Sequence, residues 1–280
     1  HNVEIVVRGR PRKSQLCWDL KNKTISNLNG KDAVVHLAAE TINKPIGGKI
    51  PVPWSAWKRK EILDSRVNGT RLLAEHLASL NNPPKVLVCA SAIGYYGDNG
   101  DEIMDEKGHN GNDYFSHVVK EWEAAAQPAI DAGIRVVFLR LAPVMSPLGG
   151  ALQVLSLPAK LGSSPPVGGG KQWWSWVSID DAIGSIYHSI ITESLAGPVN
   201  VASPNCVQQK EWAATLAKVI WGSFGKLTTL IPIPGFILKS VLGEFGNVLA
   251  LSSIRVNSSK LINSGYKFRF ENLEDTFRHL

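Results

Sequence analysis

Residues 85–97 read KVLVCASAIGYYG. Val86, Leu87, Val88 and Cys89 form an unbroken apolar run between Pro83–Pro84 and a Gly/Asp/Asn turn at 97–100. An apolar run of that length suits a strand buried on both faces, and such strands belong to parallel sheets covered by helices on each side. At its carboxyl end the run changes abruptly to Ala90, Ser91 and Ala92. Ligands of open α/β sheets bind outside the carboxyl ends of the strands. Ser91 therefore stands where chemistry is possible; a small residue in a crowded turn is the plain alternative.

The flanking sequence repeats the pattern. A first strand spans residues 3–8 and stops at the GRPRK turn; a second spans 32–37 (DAVVHL) and ends in Ala38, Ala39 and Glu40. A Gly/Pro-rich loop at 44–53 leads into a helix over 54–80, with Ile62, Val67, Leu72, Leu73 and Leu77 at helical spacing. Residues 113–132 predict another helix, stopped by Gly133, and 135–141 (RVVFLRL) a further strand. Strands alternating with helices imply crossover connections and a parallel sheet. After Pro143 the chain breaks into short pieces separated by Pro and Gly, with Trp173, Trp174 and Trp176 crowded together. A helix from 180 to about 193, capped by Asp180 or Asp181, and a short strand at 198–202 return to the first domain. Three or four helices then form a smaller C-terminal unit. The division expected is 1–145, with 176–203 returning to it, and 146–280.

Composition excludes several classes. The chain has 280 residues, 44% hydrophobic and 19% charged, which is a folded domain and not a disordered one. The net charge of +6 is dispersed apart from Arg8, Arg10, Arg12 and Lys13, and no nucleic-acid motif accompanies it. Three widely spaced cysteines, Cys17, Cys89 and Cys206, offer neither a metal pattern nor a disulfide framework, so a reducing compartment is expected. No apolar run reaches membrane-spanning length.

Several motifs now agree in order: DAVVHLAAE, WSAWKRKEILDSRVNGT, CASAIGYYG, WEAAA, GIRVVFLRLAPVM, GGAL, KQWWSWVSIDD, GPVNVASP and GYKFRF. Together they resemble the atypical branch of the extended short-chain dehydrogenase/reductases, the epimerase family proteins of the 39U type, across essentially the whole chain. The resemblance implies a Rossmann-type doubly wound parallel sheet, a small helical C-terminal domain of the DUF1731 kind, NADP(H) as cofactor, and an oxidoreductase or epimerase acting on a small polar molecule. A nucleotide-binding sensor or scaffold without turnover, in the manner of an organelle-division protein, is the rival.

Two departures from the family pattern stand out. HNVEIVVRGR matches the family's second strand, so the first strand and its Gly-rich loop have no counterpart. The expectation is an N-terminus short by roughly 25–30 residues, the size of one opening unit, with any mitochondrial or plastid targeting peptide lost as well. Residues 1–280 alone are then expected to be poorly soluble or loosely packed and not to bind NADP(H). Second, the Tyr-x-x-x-Lys pair is replaced by Phe115 and Val119. Without that pair, proton transfer falls to Ser91, Tyr95 and Tyr96 as the catalytic candidates. Leu37, Ala38, Ala39, Glu40, Arg140 and Pro143 are placed at the cofactor, with Arg8 and Arg10 suited to a 2′-phosphate. Trp173 and Trp174 are placed at the substrate. No metal site, nucleic-acid partner or membrane span is expected.

Overall fold

The computed structural model describes residues 2–8, 11–12, 15–42, 53–229 and 232–280. The chain opens with β1 (Ile5–Arg8), β2 (Gln15–Asp19) and β3 (Thr24–Ile25). Then come β4 (Ala33–His36), α1 (Ala56–Ala78), β5 (Val86–Ala92), the short β6 (Ile103–Met104), α2 (Tyr114–Ala124), α3 (Gln127–Asp131) and β7 (Arg135–Leu141). The second half runs β8 (Val144–Met145), α4 (Gly150–Lys160), β9 (Trp173–Trp174), β10 (Val177–Ser178), α5 (Ile179–Ile191) and β11 (Gly197–Val201). It closes with β12 (Val207–Gln208), α6 (Gln209–Trp221), α7 (Gly235–Gly246), β13 (Arg255–Val256), α8 (Ser259–Asn263) and α9 (Leu273–His279).

The central sheet has the order β11-β7-β5-β4, and every pairing in it is parallel. β5 lies inside it, which is why its residues 86–90 are apolar. Its residues divide between two faces with the strand period of two. Val86 and Val88 pack with Ala182 of α5, while Leu87 and Cys89 pack with Leu73 of α1 and Ala129 of α3. This is the doubly wound α/β class expected from the sequence. β1, β2 and β3 form a separate sheet, in which β1 is parallel to β2 and β3 antiparallel. Trp18 of β2 lies edge-on to His36 of β4 at 5.2 Å between ring centroids and joins the two sheets.

Two local expectations are corrected. The helix over 113–132 is two helices, α2 and α3, parted at Ala125–Ala126. Pro128 lacks the N–H that would continue the first helix, and it sits in the opening turn of the second, where that donor is not needed. α5 is capped by Ser178, whose Oγ accepts the Asp181 N–H at 2.9 Å, and not by an aspartate. Asp181 is instead fully buried. Its carboxylate accepts from the Tyr266 hydroxyl and the Arg269 and Phe270 backbone N–H groups at 2.8–3.1 Å. The GYKFRF segment is thereby fastened to α5.

Candidate functional site

The carboxyl ends of β5 and β7 bring Ser91 opposite Arg140 in register, and Asn200 of β11 stands beside Arg140 on its other side. α2 packs over this end and lowers Glu123 onto it. Glu123 continues the helix stripe of Phe115 and Val119 at steps of four residues, which keeps all three on one face. Arg140 Nε and Nη2 each donate to one Glu123 carboxylate oxygen at 2.8 Å, a bidentate pair. The Ser91 hydroxyl donates to Glu123 Oε1 at 2.6 Å. Arg140 Nη1 donates to the Tyr96 hydroxyl at 3.0 Å, and that hydroxyl donates to Asn200 Oδ1 at 2.7 Å. Glu106 accepts the Asn200 N–H at 2.8 Å. The Arg140 guanidinium also lies 3.5 Å from the centroid of the Tyr95 ring.

This is a buried polar network. Ser91, Tyr96, Arg140 and Asn200 are all under a tenth exposed. Burial pushes the Tyr96 phenol up to about 12, although Arg140 pulls against it. Burial works against charge on Arg140, but the hydrogen bonds and charge of Glu123 outweigh it and hold the guanidinium above its ordinary value. At neutral pH Arg140 is therefore held charged and Tyr96 is a neutral donor.

Ser91, Tyr95, Tyr96 and Arg140 are thus brought together. The Ser91 and Tyr96 hydrogens are already committed to Glu123 and Asn200, whereas Tyr95 is half-buried beneath the guanidinium. Phe115 and Val119 are buried with Trp54 and Ile62, with Ala92 packed against them. The Phe115 ring presses on Gly94 so closely that a Cβ there would lie 2.5 Å from it. Tyr114, next to the Phe115 position, turns away and donates to the Arg59 carbonyl at 2.6 Å.

At the end of β4, Leu37 is exposed and Ala38 and Ala39 are half-buried. Glu40 is turned to α1: its carboxylate accepts from Lys58 Nζ at 3.0 Å, and its carbonyl accepts from Arg66. Arg10 lies outside the described residues, and of Arg8 only the backbone is described, as the last residue of β1. Among the described residues no cluster of metal-ligating side chains occurs, and no helix is long and apolar enough to cross a membrane.

Pro143, Trp173 and Trp174 belong to a different place, an apolar cavity of about 50 Å³ beyond the ends of β5 and β7. Ile93, Trp176 and Trp212 also line it. Trp173 is held by its indole N–H on Asp101 at 2.8 Å and by the Arg255 guanidinium 4.1 Å from its ring centroid. Trp174 meets Trp212 edge-on at 5.4 Å.

Sequence reasoning missed Glu123, Asn200 and Glu106. For Glu123 a signal existed: it lies four residues beyond Val119 on the helix stripe that ordinarily carries the Tyr and Lys. Asn200 and Glu106 had none, because they meet the network only through the sheet.

The family model described as NAD dependent epimerase/dehydratase matches residues 17–202, and one described as a domain of unknown function, DUF1731, matches 233–280. Human epimerase family protein SDR39U1 is 31% identical over 274 residues, covering 98% of this chain and 89% of the relative. The chloroplastic SDR39U1 homolog of Arabidopsis thaliana is 32% identical, covering 99% and 79%. Among solved structures, human SDR39U1 with NADPH superposes with a TM-score of 0.84 at 28% identity, covering 98% of this chain and 88% of that one. A nucleoside-diphosphate sugar epimerase from Corynebacterium glutamicum gives 0.78 at 31% identity, covering 100% and 52%. With its parallel sheet, its Phe115 and Val119 in place of the Tyr and Lys, and these matches over nearly its full length, the chain belongs to the NAD dependent epimerase/dehydratase family, as an atypical short-chain dehydrogenase/reductase of the 39U type.

Proposed function

We propose that the protein binds NADP(H) across the ends of β4, β5 and β7 and reduces a carbonyl substrate, or epimerises one through the same hydride chemistry. One observation carries this reading. β5 is sealed along 86–89, yet Ala90 and Ala92 at its carboxyl end are only half-buried. A central strand that opens at its end lies under a crevice, and this is where the fold holds nucleotides. The similarity to the NADPH-containing human structure supports the choice of cofactor.

The described residues suit the nicotinamide end, where Ala38, Ala39, Ala90 and Ala92 are small and partly open. They do not supply a pyrophosphate receptor at the central sheet: α4 follows β8 through Gly149–Gly150, but β8 pairs with β10 and lies outside that sheet. Leu37 and Glu40 flank the crevice from β4, and Arg8 and Arg10 are the residues to receive a 2′-phosphate. NADPH, when bound, supplies the hydride. Tyr95 supplies the proton to the substrate oxygen, Arg140 over its ring stabilises the phenolate left behind, and water reprotonates it. Ser91 and Tyr96 hold Glu123 and Arg140 in place beneath.

The second reading, nucleotide binding without turnover, is favoured by the apolar packing of Phe115 and Val119 where the family keeps its proton-transfer pair. One experiment addresses both. NADPH and NADH are titrated into residues 1–280, alone and preceded by a strand–Gly-rich loop–helix unit, and NADPH oxidation is followed with a carbonyl panel. The extended chain is expected to bind NADPH at least tenfold more tightly than NADH and than the bare chain does. Tyr95→Phe should lower kcat by roughly a hundredfold, the scale of a lost general acid. Equal affinity for the two cofactors overturns the NADP assignment. Binding without any oxidation selects the second reading.

A further inference from the structure

The cavity beside the strand ends has a chemistry of its own. None of the side chains lining it is charged, and most are aromatic or aliphatic. The two hydroxyls in the lining are already spent. Ser175 donates to the Ile254 carbonyl at 3.0 Å and accepts the Val256 N–H at 3.1 Å; Ser252 donates to the Asn247 carbonyl at 3.0 Å. Trp176 gives its indole hydrogen to the Asn205 carbonyl at 3.1 Å. The wall also contains Trp212, whose indole N–H is buried with no acceptor among the described residues.

A sugar or other polyol entering here would lose water at each hydroxyl and regain almost no partner, which is strongly unfavourable. An apolar group loses nothing on entry. The volume, about 50 Å³, is a few times the ~10–15 Å³ needed by one water. It therefore admits one end of a molecule and not the whole of it.

The geometry points to a substrate whose reacting carbonyl is carried on a compact apolar group, a branched alkyl chain or small ring. That group sits in the cavity bounded by Trp173, Trp174, Trp176 and Trp212, and its carbonyl oxygen stays outside, for Tyr95. This deepens the carbonyl-reductase reading and rests on it. It differs from the small polar molecule expected from the sequence, and it would set this protein apart from sugar-nucleotide enzymes of the same fold. Specificity is assigned to Leu155 and Val248, the aliphatic residues that close the cavity from α4 and from the segment following α7.

The test uses the 280-residue chain, with tryptophan emission as the readout because four tryptophans line the cavity. Cyclohexanone, glyceraldehyde and UDP-glucose are titrated in turn, and NADPH is titrated separately into the chain preceded by the strand–Gly-rich loop–helix unit. Cyclohexanone is expected to bind at least tenfold more tightly than glyceraldehyde. Val248→Phe, which fills the space, should weaken cyclohexanone at least tenfold without lowering Tm; should that variant not fold, Leu155→Phe takes its place. Glyceraldehyde or UDP-glucose binding as tightly as cyclohexanone overturns the proposal. So does unchanged cyclohexanone affinity in the folded filling variant. Cyclohexanone binding by the 280-residue chain with no NADPH binding by the extended one supports the cavity and counts against the nucleotide reading; NADPH binding by the extended chain with no cyclohexanone binding overturns the cavity alone.

Discussion

The middle of the central sheet and its β4 border are built from similar sequence and live under different conditions. In the middle, β5 has a hydrogen-bonded strand on each side, its residues 86–89 are at most 2% exposed, and its polar end is satisfied by Glu123, Arg140 and Asn200. At the border, among the described residues, β4 pairs only with β5 and β1 only with β2. Both carry apolar side chains to solvent: Ile5 of β1 is 58% exposed and Val35 of β4 39%, with Leu37 just past β4 at 55%. The same Val/Ile/Leu vocabulary therefore serves as core in one place and as an unprotected edge in the other. An edge of that kind is a template for pairing with another chain. Apolar composition says that a strand wants neighbours; topology decides whether it has them.

If this contrast is right, the largest effect comes from the centre. Glu123→Gln keeps the side chain's size but leaves the Arg140 guanidinium buried without its counter-charge, an injury of about 3–5 kcal/mol. Urea denaturation should show a loss of that size. A loss below about 1 kcal/mol would mean that the network is already solvated and the centre no tighter than the border.

The joint between the two sheets should respond to acid. Burial pushes His36 down to about 4, while the unfolded residue titrates near 6.5. Below pH 6.5 the unfolded chain binds the proton and the folded one does not. Stability from this group is complete above pH 6.5 and is lost as pH falls towards 4, by about 3 kcal/mol. Thermal melts across that window should show the decline, with the emission of Trp18 changing first. His36→Leu should flatten it; an equally steep profile in the variant would place the acid-sensitive group elsewhere.

The smallest expected change is at the edge itself. Leu37→Lys and Ile5→Lys remove exposed apolar groups with few partners to lose, so stability should stay within about 0.5 kcal/mol. Light scattering on heating should nevertheless fall, because charge on an edge strand discourages pairing between molecules. A destabilisation above 1 kcal/mol would show that the border is packed more closely than its exposure indicates.

Much of the fold was legible because its signals are local. Four apolar residues at 86–89, seven strand residues at 135–141 and a long helical periodicity between them suffice for a parallel, doubly wound sheet, since each element's pattern reflects burial along its own axis. Short-range signals misled where two devices competed. Pro128 was absorbed into one helix although it opens a second, and Asp181 looked like a cap although Ser178, three residues earlier, performs that role. Ser91 was found by its place at a strand end, but its partner was not. Glu123 is 32 residues away and Arg140 a further 17, and nothing in either local sequence says that they meet. The cavity lies further still from local signals: its wall runs from Ile93 to Ile254, joined only when the C-terminal segments close over the sheet. By itself the sequence determined which segments would be buried and how they would alternate, because hydrophobic period is a property of a single element. Which charge neutralises which, which edge stays open and what chemistry a cavity tolerates were decided by the tertiary structure, because each depends on distances between elements that no single element encodes.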